Sequence, residues 1–440
     1  MRFSIKQADF FERQVRLRMP FRFGVVTLTE APQAFVRVTI VLEDKRSSEG
    51  AAAELLAPKW FDKNPALSNE DNFEQLRQSM RKARDAYLSG GVDTAYGHSR
   101  PTAGLVENFG PALLDRALLD ALCRALGVSF YRAVRANAPG IAFPDLDMPR
   151  FLAGLQSRHE IAARHTVGLV DPISSSEQRV NDGLPETLEE VIARYGHRWF
   201  KLKVGGDAKA DVERLTAIAS VLDRIPGDYH ASLDGNEQYE DVHGVLELWR
   251  RIREVPSLER LASNVVFIEQ PIKRQKALAA DISALAAEKP VIIDESDDSL
   301  DAFPRAKALG YRGVSSKTCK GIYKSLINAA RCAAWGKGYF MSGEDLTIQA
   351  GLALQQDLAL VSILGLTHVE RNGHHYVNGM AGLPAGEQER FLKSHADLYE
   401  RSHGAVRVHI RDGKVQLGSL DCPGYASRAM PDWSHMKEMR

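Results

Sequence analysis

The chain has 440 residues, and its 57 lysines and arginines balance 57 aspartates and glutamates, so the formal charge is zero. That balance argues against a protein that gains affinity by neutralising phosphates, and no nucleic-acid partner is expected. Apolar residues at 44% and charged residues at 26% are ordinary for a globular protein and argue against extended disorder. No run of about 18 uninterrupted apolar residues occurs, so no membrane partner is expected either. The opening text MRFSIKQADFFERQVRL is charged throughout and has no apolar signal region. Cys123, Cys319, Cys332 and Cys422 are scattered without CxxC spacing. A cytoplasmic setting with reduced thiols is the expectation, rather than a zinc site or a disulfide framework.

Residues 1–145 open with alternating β-branched text such as Phe35-Val36-Arg37-Val38-Thr39-Ile40-Val41. They turn helical over 72–87 and 111–126, which predicts an α+β domain. Ala138-Pro139-Gly140 and Phe143-Pro144-Asp145 supply turn residues at its end. From 146 to 385 a short apolar strand followed by an amphipathic helix recurs. Strands are predicted at 162–170, 199–204, 230–234, 265–270, 291–295, 313–317, 338–341 and 367–370. Helices are predicted at 208–222, 242–254, 276–287, 322–335 and 346–364. Eight strands alternating with helices point to a TIM-like α/β barrel. An open doubly wound sheet would show a glycine-rich GxGxxG turn after its first strand, and none is present. The tail, 386–440, begins helical and then reads as a hairpin: strands 406–410 and 415–417 joined by Asp412-Gly413.

Catalytic groups of a barrel lie at the C-terminal ends of its strands. Five consecutive predicted strands end in ionisable residues: Lys201 and Lys203, then Asp234, Glu269 and Asp294, then Lys317. Period-2 alternation turns all of them toward the barrel mouth. Three converging carboxylates need a counter-charge, and hard oxygen ligands suit Mg²⁺. A lysine beside a divalent ion and a second lysine has its neutral form favoured and can act as a general base.

These motifs resemble the enolase superfamily, and within it the muconate lactonizing enzyme subgroup of the mandelate racemase/muconate lactonizing enzyme group. Lys201-Leu202-Lys203 is similar to its KxK, Asp234-Gly235-Asn236 to its DxN, and Glu269-Gln270-Pro271 to its EQP. Asp294-Glu295-Ser296 is similar to its DES segment, and Lys317-Thr318-Cys319-Lys320-Gly321 to its sixth-strand KxxKxG. His165-Thr166-Val167-Gly168 resembles its first barrel strand. The resemblance implies a (β/α)7β barrel under an N-terminal α+β capping domain, completed by the returning C-terminal segment. It implies Mg²⁺, with Mn²⁺ as a substitute, on Asp234, Glu269 and Asp294. It implies Lys203 and Lys317 as acid and base on opposite faces of a small carboxylate, with Lys201 on the carboxylate and Asn236 supporting the metal's surroundings. Assembly as a homo-oligomer is also implied.

Some residues depart from the pattern. Strand seven carries no His, which disfavours sugar-acid dehydration. Strand eight reads His368-Val369-Glu370-Arg371-Asn372 where dipeptide epimerases carry DxD. Arg371 would suit a second anionic group of the substrate, and Glu344 could bind an ammonium. Arg22, in the Arg18–Gly24 segment that resembles the family's capping loop, is a candidate carboxylate contact or a solvated strand-edge residue. The long segment 170–186, with Ser174-Ser175-Ser176, reads as an insertion over the mouth. Trp60 lines the cap or packs its core. His374-His375 is a poor metal pair, because adjacent side chains on an extended segment point apart. Two bases on opposite faces imply a racemase or epimerase working through a metal-stabilised enediolate. The alternatives are a cycloisomerase or syn β-elimination lyase, and a non-catalytic binding barrel.

Overall fold

The computed structural model describes residues 1–23, 26–175, 179–346, 349–372 and 375–439. Gly24, Ser176 and His374, singled out in the sequence, lie outside them.

The amino-terminal third forms an antiparallel sheet of β1 (Phe3–Phe23), β2 (Val26–Leu42) and β3 (Ser47–Leu55). Alternation buries Val36, Val38 and Ile40 on one face. That face packs on α2 (Leu105–Leu126), and α1 (Asn69–Leu88) packs on α2 in turn. A capping box starts α1: the Ser68 hydroxyl accepts from the Asp71 amide, and the Asp71 carboxylate accepts from the Ser68 amide. A Cβ at Gly50 would lie 2.2 Å from the backbone nitrogen of Ala121, so only glycine lets β3 approach α2 this closely.

The barrel follows as eight parallel strands: β4 (Glu160–Val167), β5 (Trp199–Lys203), β6 (His230–Asp234), β7 (Val265–Glu269), β8 (Val291–Ile293), β9 (Gly313–Ser316), β10 (Phe340–Gly343) and β11 (His368–Glu370). Each pairs with the next, and β11 pairs back with β4 to close the barrel. This is the predicted strand set, with shifted ends.

Three expectations are corrected. The helical run 276–287 is two short helices, Arg274–Ala277 and Ser283–Glu288. Between them Asp281 accepts a hydrogen bond from the Ser283 amide, a local turn that competes with a continuous helix. The helix expected from 346 runs Leu352–Ile363, after Gly351 at φ 114°, which leaves Leu346 in a loop at the mouth. The tail hairpin pairs differently. β12 (Tyr399–Ser402) and β13 (Ala405–Val408) pair across His403-Gly404, both at positive φ. The chain does reverse at Asp412-Gly413, but β14 (Lys414–Gln416) pairs antiparallel with the start of β4, burying Val415. Alternation marks a strand without choosing its partner, and here β12 already occupies β13.

Beyond β14 the chain returns to the cap. Tyr425 stacks on Phe130 with ring centres 4.0 Å apart, and β15 (Lys437–Met439) pairs with β1 at Phe10–Glu12. Among the described residues no helix is long and apolar enough to cross a membrane.

Candidate active site

The ends of β5 to β9 bring the predicted lysines and acids together. Lys201 and Lys203 share one face of β5, and both are buried. The Lys203 Nζ donates to Asp234 Oδ2 and Asn236 Oδ1, each at 2.5 Å. The Lys201 Nζ lies 2.9 Å from Asp234, 3.0 Å from Glu269, 2.7 Å from Glu344 and 3.0 Å from Glu370. Across the mouth, the Lys317 Nζ donates to Asp294 Oδ2 at 2.5 Å. Lys320 supports that side, donating to Ser315 Oγ at 2.7 Å and lying 3.1 Å from Asp297.

Burial opposes the charge of Lys201, but Asp234, Glu269, Glu344 and Glu370 outweigh it and hold its pKa well above the ordinary lysine value. Burial, then the charges of Asp234 and Glu344, drives Glu269 well above the usual carboxylate range. Burial likewise opposes the charge of Lys317, but the adjacent Asp294 raises its pKa and keeps the ammonium.

The other sequence candidates fall elsewhere. Arg22 is exposed on β1 and does not line the cleft. Arg371 is buried and spans Asp345 at 2.7 Å and Asp357 at 2.6 Å. Glu344 is fully buried, holding Lys201 on one side and the buried Arg164 of β4 on the other. Trp60 both packs and lines: it is 4% exposed, and its ring centre lies 4.4 Å from the Lys317 Nζ.

Glu370 is a site residue the sequence reading passed over. Its Oε1 accepts from the Thr166 hydroxyl at 2.5 Å, and its Oε2 accepts from Lys201 and from the Asp345 amide, each at 3.0 Å. The alternation that selects the other acids also selects Glu370, which follows the apolar Val369 of the opposite face. Only closure of the barrel brings β11 beside β4 and so puts Thr166 next to it.

Lys201, Lys203, Lys317, Asn236, Asp345 and Glu370 form the floor of a cleft. Its walls are apolar, and two arginines fix them. Arg274 pairs with Glu237 at 2.7 Å and donates to the carbonyls of Trp60 and Phe61, each at 2.9 Å, which sets Trp60 over Lys317. Arg18 pairs with Asp182 at 2.5 Å and donates to the carbonyls of Leu184, Pro185 and His375. It fixes the strand carrying Phe21, whose ring centre is 6.0 Å from the Lys203 Nζ. Asn236 and Glu237 have φ of 39° and 67°, a costly backbone for side chains larger than glycine. The Glu237–Arg274 pair helps hold that turn.

Among the described residues no three His, Cys, Asp or Glu side chains stand as a ready metal cage, because the Lys201 ammonium lies among the acids. The donor set nonetheless fits a hard divalent ion. Asp234, Glu269 and Asp294 stand at the ends of adjacent strands, and the buried Glu269 Oε2, 3.0 Å from the Lys201 ammonium, accepts no hydrogen bond.

A family model described as enolase C-terminal domain-like matches residues 183–426. The N-succinyl-L-Arg/Lys racemase of Bacillus cereus is 26% identical over 183 residues, which are 40% of this chain and 42% of that relative; the match thus spans less than half the relative's length. The crystal structure of N-succinyl Arg/Lys racemase from Bacillus cereus ATCC 14579 superposes with a TM-score of 0.64 at 18% identity, covering 100% of both chains. Muconate lactonizing enzyme from Pseudomonas fluorescens, complexed with muconolactone, gives 0.64 at 16% identity and 98% of each chain. An enolase-superfamily member from Roseovarius nubinhibens ISM, complexed with magnesium, gives 0.60 at 16% identity, covering 98% of this chain and 96% of that one. With more than half its length matched by the family model and its lysines and acids gathered at the barrel mouth, the chain belongs to the enolase superfamily.

Proposed function

We propose that this protein is an enzyme that removes the α-proton of a small carboxylic acid and returns it on the opposite face, as a racemase or epimerase. The observation that carries the reading is that Lys203 and Lys317 open on one cleft from opposite sides of the acid cluster. Asp234, Glu269 and Asp294 would hold Mg²⁺ or Mn²⁺, whose positive charge supports the carboxylate as charge builds on it. Lys201 would pair with the same carboxylate, held in place by Glu344 and Glu370. Asn236 orients the Lys203 ammonium. Trp60 and Phe21 close over the two lysines and keep water from the carbon atom. One lysine takes the proton from carbon at its Nζ while the other donates one from across the cleft, so an sp³ centre inverts and no group leaves. The name of the Bacillus relative supports inversion at carbon.

A second reading, cycloisomerisation or syn elimination, is favoured by one observation: the Lys317 Nζ donates to Asp294 Oδ2 at 2.5 Å, a pairing that suits a purely electrostatic role. Incubation of both enantiomers of candidate acids in D₂O with Mg²⁺ separates the two. Interconversion with deuterium at the α-carbon of each enantiomer supports the racemase. Exchange on one face with an achiral product supports the second reading. Absence of exchange across a broad library of acids removes both.

A further inference from the structure

We infer that the acid this site takes carries an apolar side chain and no further charge on its α-carbon substituents, and that the cleft discriminates against a second carboxylate or a cationic side chain. The inference rests on the proton-abstraction reading only in placing the reacting carboxylate at the lysine floor. Above that floor the walls formed by the described residues are Phe21, Leu28, Leu55, Ala57, Trp60 and Leu346. None carries a charge or a side-chain oxygen. A charged substituent set against them would leave water without a counter-charge, which is strongly unfavourable.

Among the described residues, the cations packed around the cleft are already committed, and Arg22, exposed on β1, does not line it. Arg371 is held by Asp345 and Asp357, Arg18 by Asp182, and Lys320 by Asp294 and Asp297. Lys63 is held by Glu237 at 2.5 Å and by the Asn236 carbonyl at 2.7 Å. Lys201, Lys203 and Lys317 belong to the floor.

The acids are committed as well. Glu370 has Thr166, Lys201 and the Asp345 amide on its two oxygens, and Asp345 has Arg371. A substrate ammonium or guanidinium would have to break one of these pairs. The walls thus differ from what N-succinyl-arginine, with an anion at one end and a cation at the other, would require.

The test is titration calorimetry of the full chain with MgCl₂, using N-acetyl-phenylalanine and N-succinyl-arginine as probes. N-acetyl-phenylalanine should bind at least about tenfold tighter, a difference of about 1.4 kcal/mol. Equal or tighter binding of N-succinyl-arginine, or no binding of either acid at millimolar concentration, overturns the inference. Leu346→Arg adds a cation to a wall loop and should narrow the preference; an unchanged preference counts against the apolar wall as its source. Loss of the α-hydrogen signal in D₂O is read separately. Preference for the apolar acid without exchange would keep the substrate class and remove the proton-abstraction reading. Preferred exchange of N-succinyl-arginine would do the reverse.

Discussion

Arg18 of the cap and Asp182 of the first barrel loop form an ion pair of 2.5 Å between segments 164 residues apart in the chain. The guanidinium side chain is only 3% exposed and also serves three backbone carbonyls, so the pair ties the strand carrying Phe21 to the barrel. Asp182→Asn should lower stability by about 2 kcal/mol, the usual scale of a hydrogen bond to a charged group. Amide exchange should rise at Arg18, Met19, Phe21, Gly183 and Leu184 specifically. Unchanged exchange there would show that the carbonyl contacts alone hold the strand.

Glu344 and Arg164 are a fully buried pair, and Glu344 also holds Lys201. Removing one member of such a pair strands the other in a dry interior. Glu344→Ala should therefore cost about 3–5 kcal/mol in urea denaturation. A loss below about 1 kcal/mol, the scale of an exposed pair, would mean that water reaches Arg164.

Lys203 and Lys317 approach the cleft from opposite sides, so their loss should differ by enantiomer. Lys203→Ala should abolish α-deuterium exchange of one enantiomer and Lys317→Ala that of the other, each by at least about 10²-fold, the scale of general acid–base catalysis. Calorimetric Mg²⁺ affinity should stay near wild type in Lys203→Ala, whereas Glu269→Gln should weaken it. Equal loss of both enantiomers in both variants would place the lysines on one chemical step rather than two.

Asp115 lies buried in the cap beneath the Tyr87 and Ser99 hydroxyls, which donate to it at 2.7 Å each. Burial pushes its pKa from the ordinary 3.8 to about 7, so the folded protein holds the proton more tightly than the unfolded chain. Its contribution is full below the unfolded value, declines as pH rises between the two, and is gone above the folded value. Asp115→Asn should therefore be less sensitive to pH, with its Tm gaining on wild type across pH 4–8. A constant Tm difference across that range would contradict the assignment.

The barrel was legible because its strands are buried apolar runs separated by amphipathic helices, and the reacting groups because alternation puts every second residue on one face. Lys201, Lys203, Asp234, Glu269, Asp294 and Lys317 follow from those two periods and meet as expected. Glu370 obeys the same rule, but its environment depends on β11 closing against β4. Arg371 and Glu344 looked like substrate contacts because a charged residue at a strand end reads the same whether it meets a ligand or a neighbouring chain segment.

What the sequence alone determined is the order of elements and the chemical identity of the barrel mouth, since both depend on periodicity and residue type along a single strand. What only the tertiary structure decided is which charges are spent on one another and which walls are left dry. Arg371 against Asp345 and Asp357, Arg18 against Asp182, and Leu346 released from its expected helix into the mouth all arise from segments far apart in the chain or from where a loop ends. Local periodicity carries no information about such partners, because electrostatic pairing and desolvation are set by distance in space.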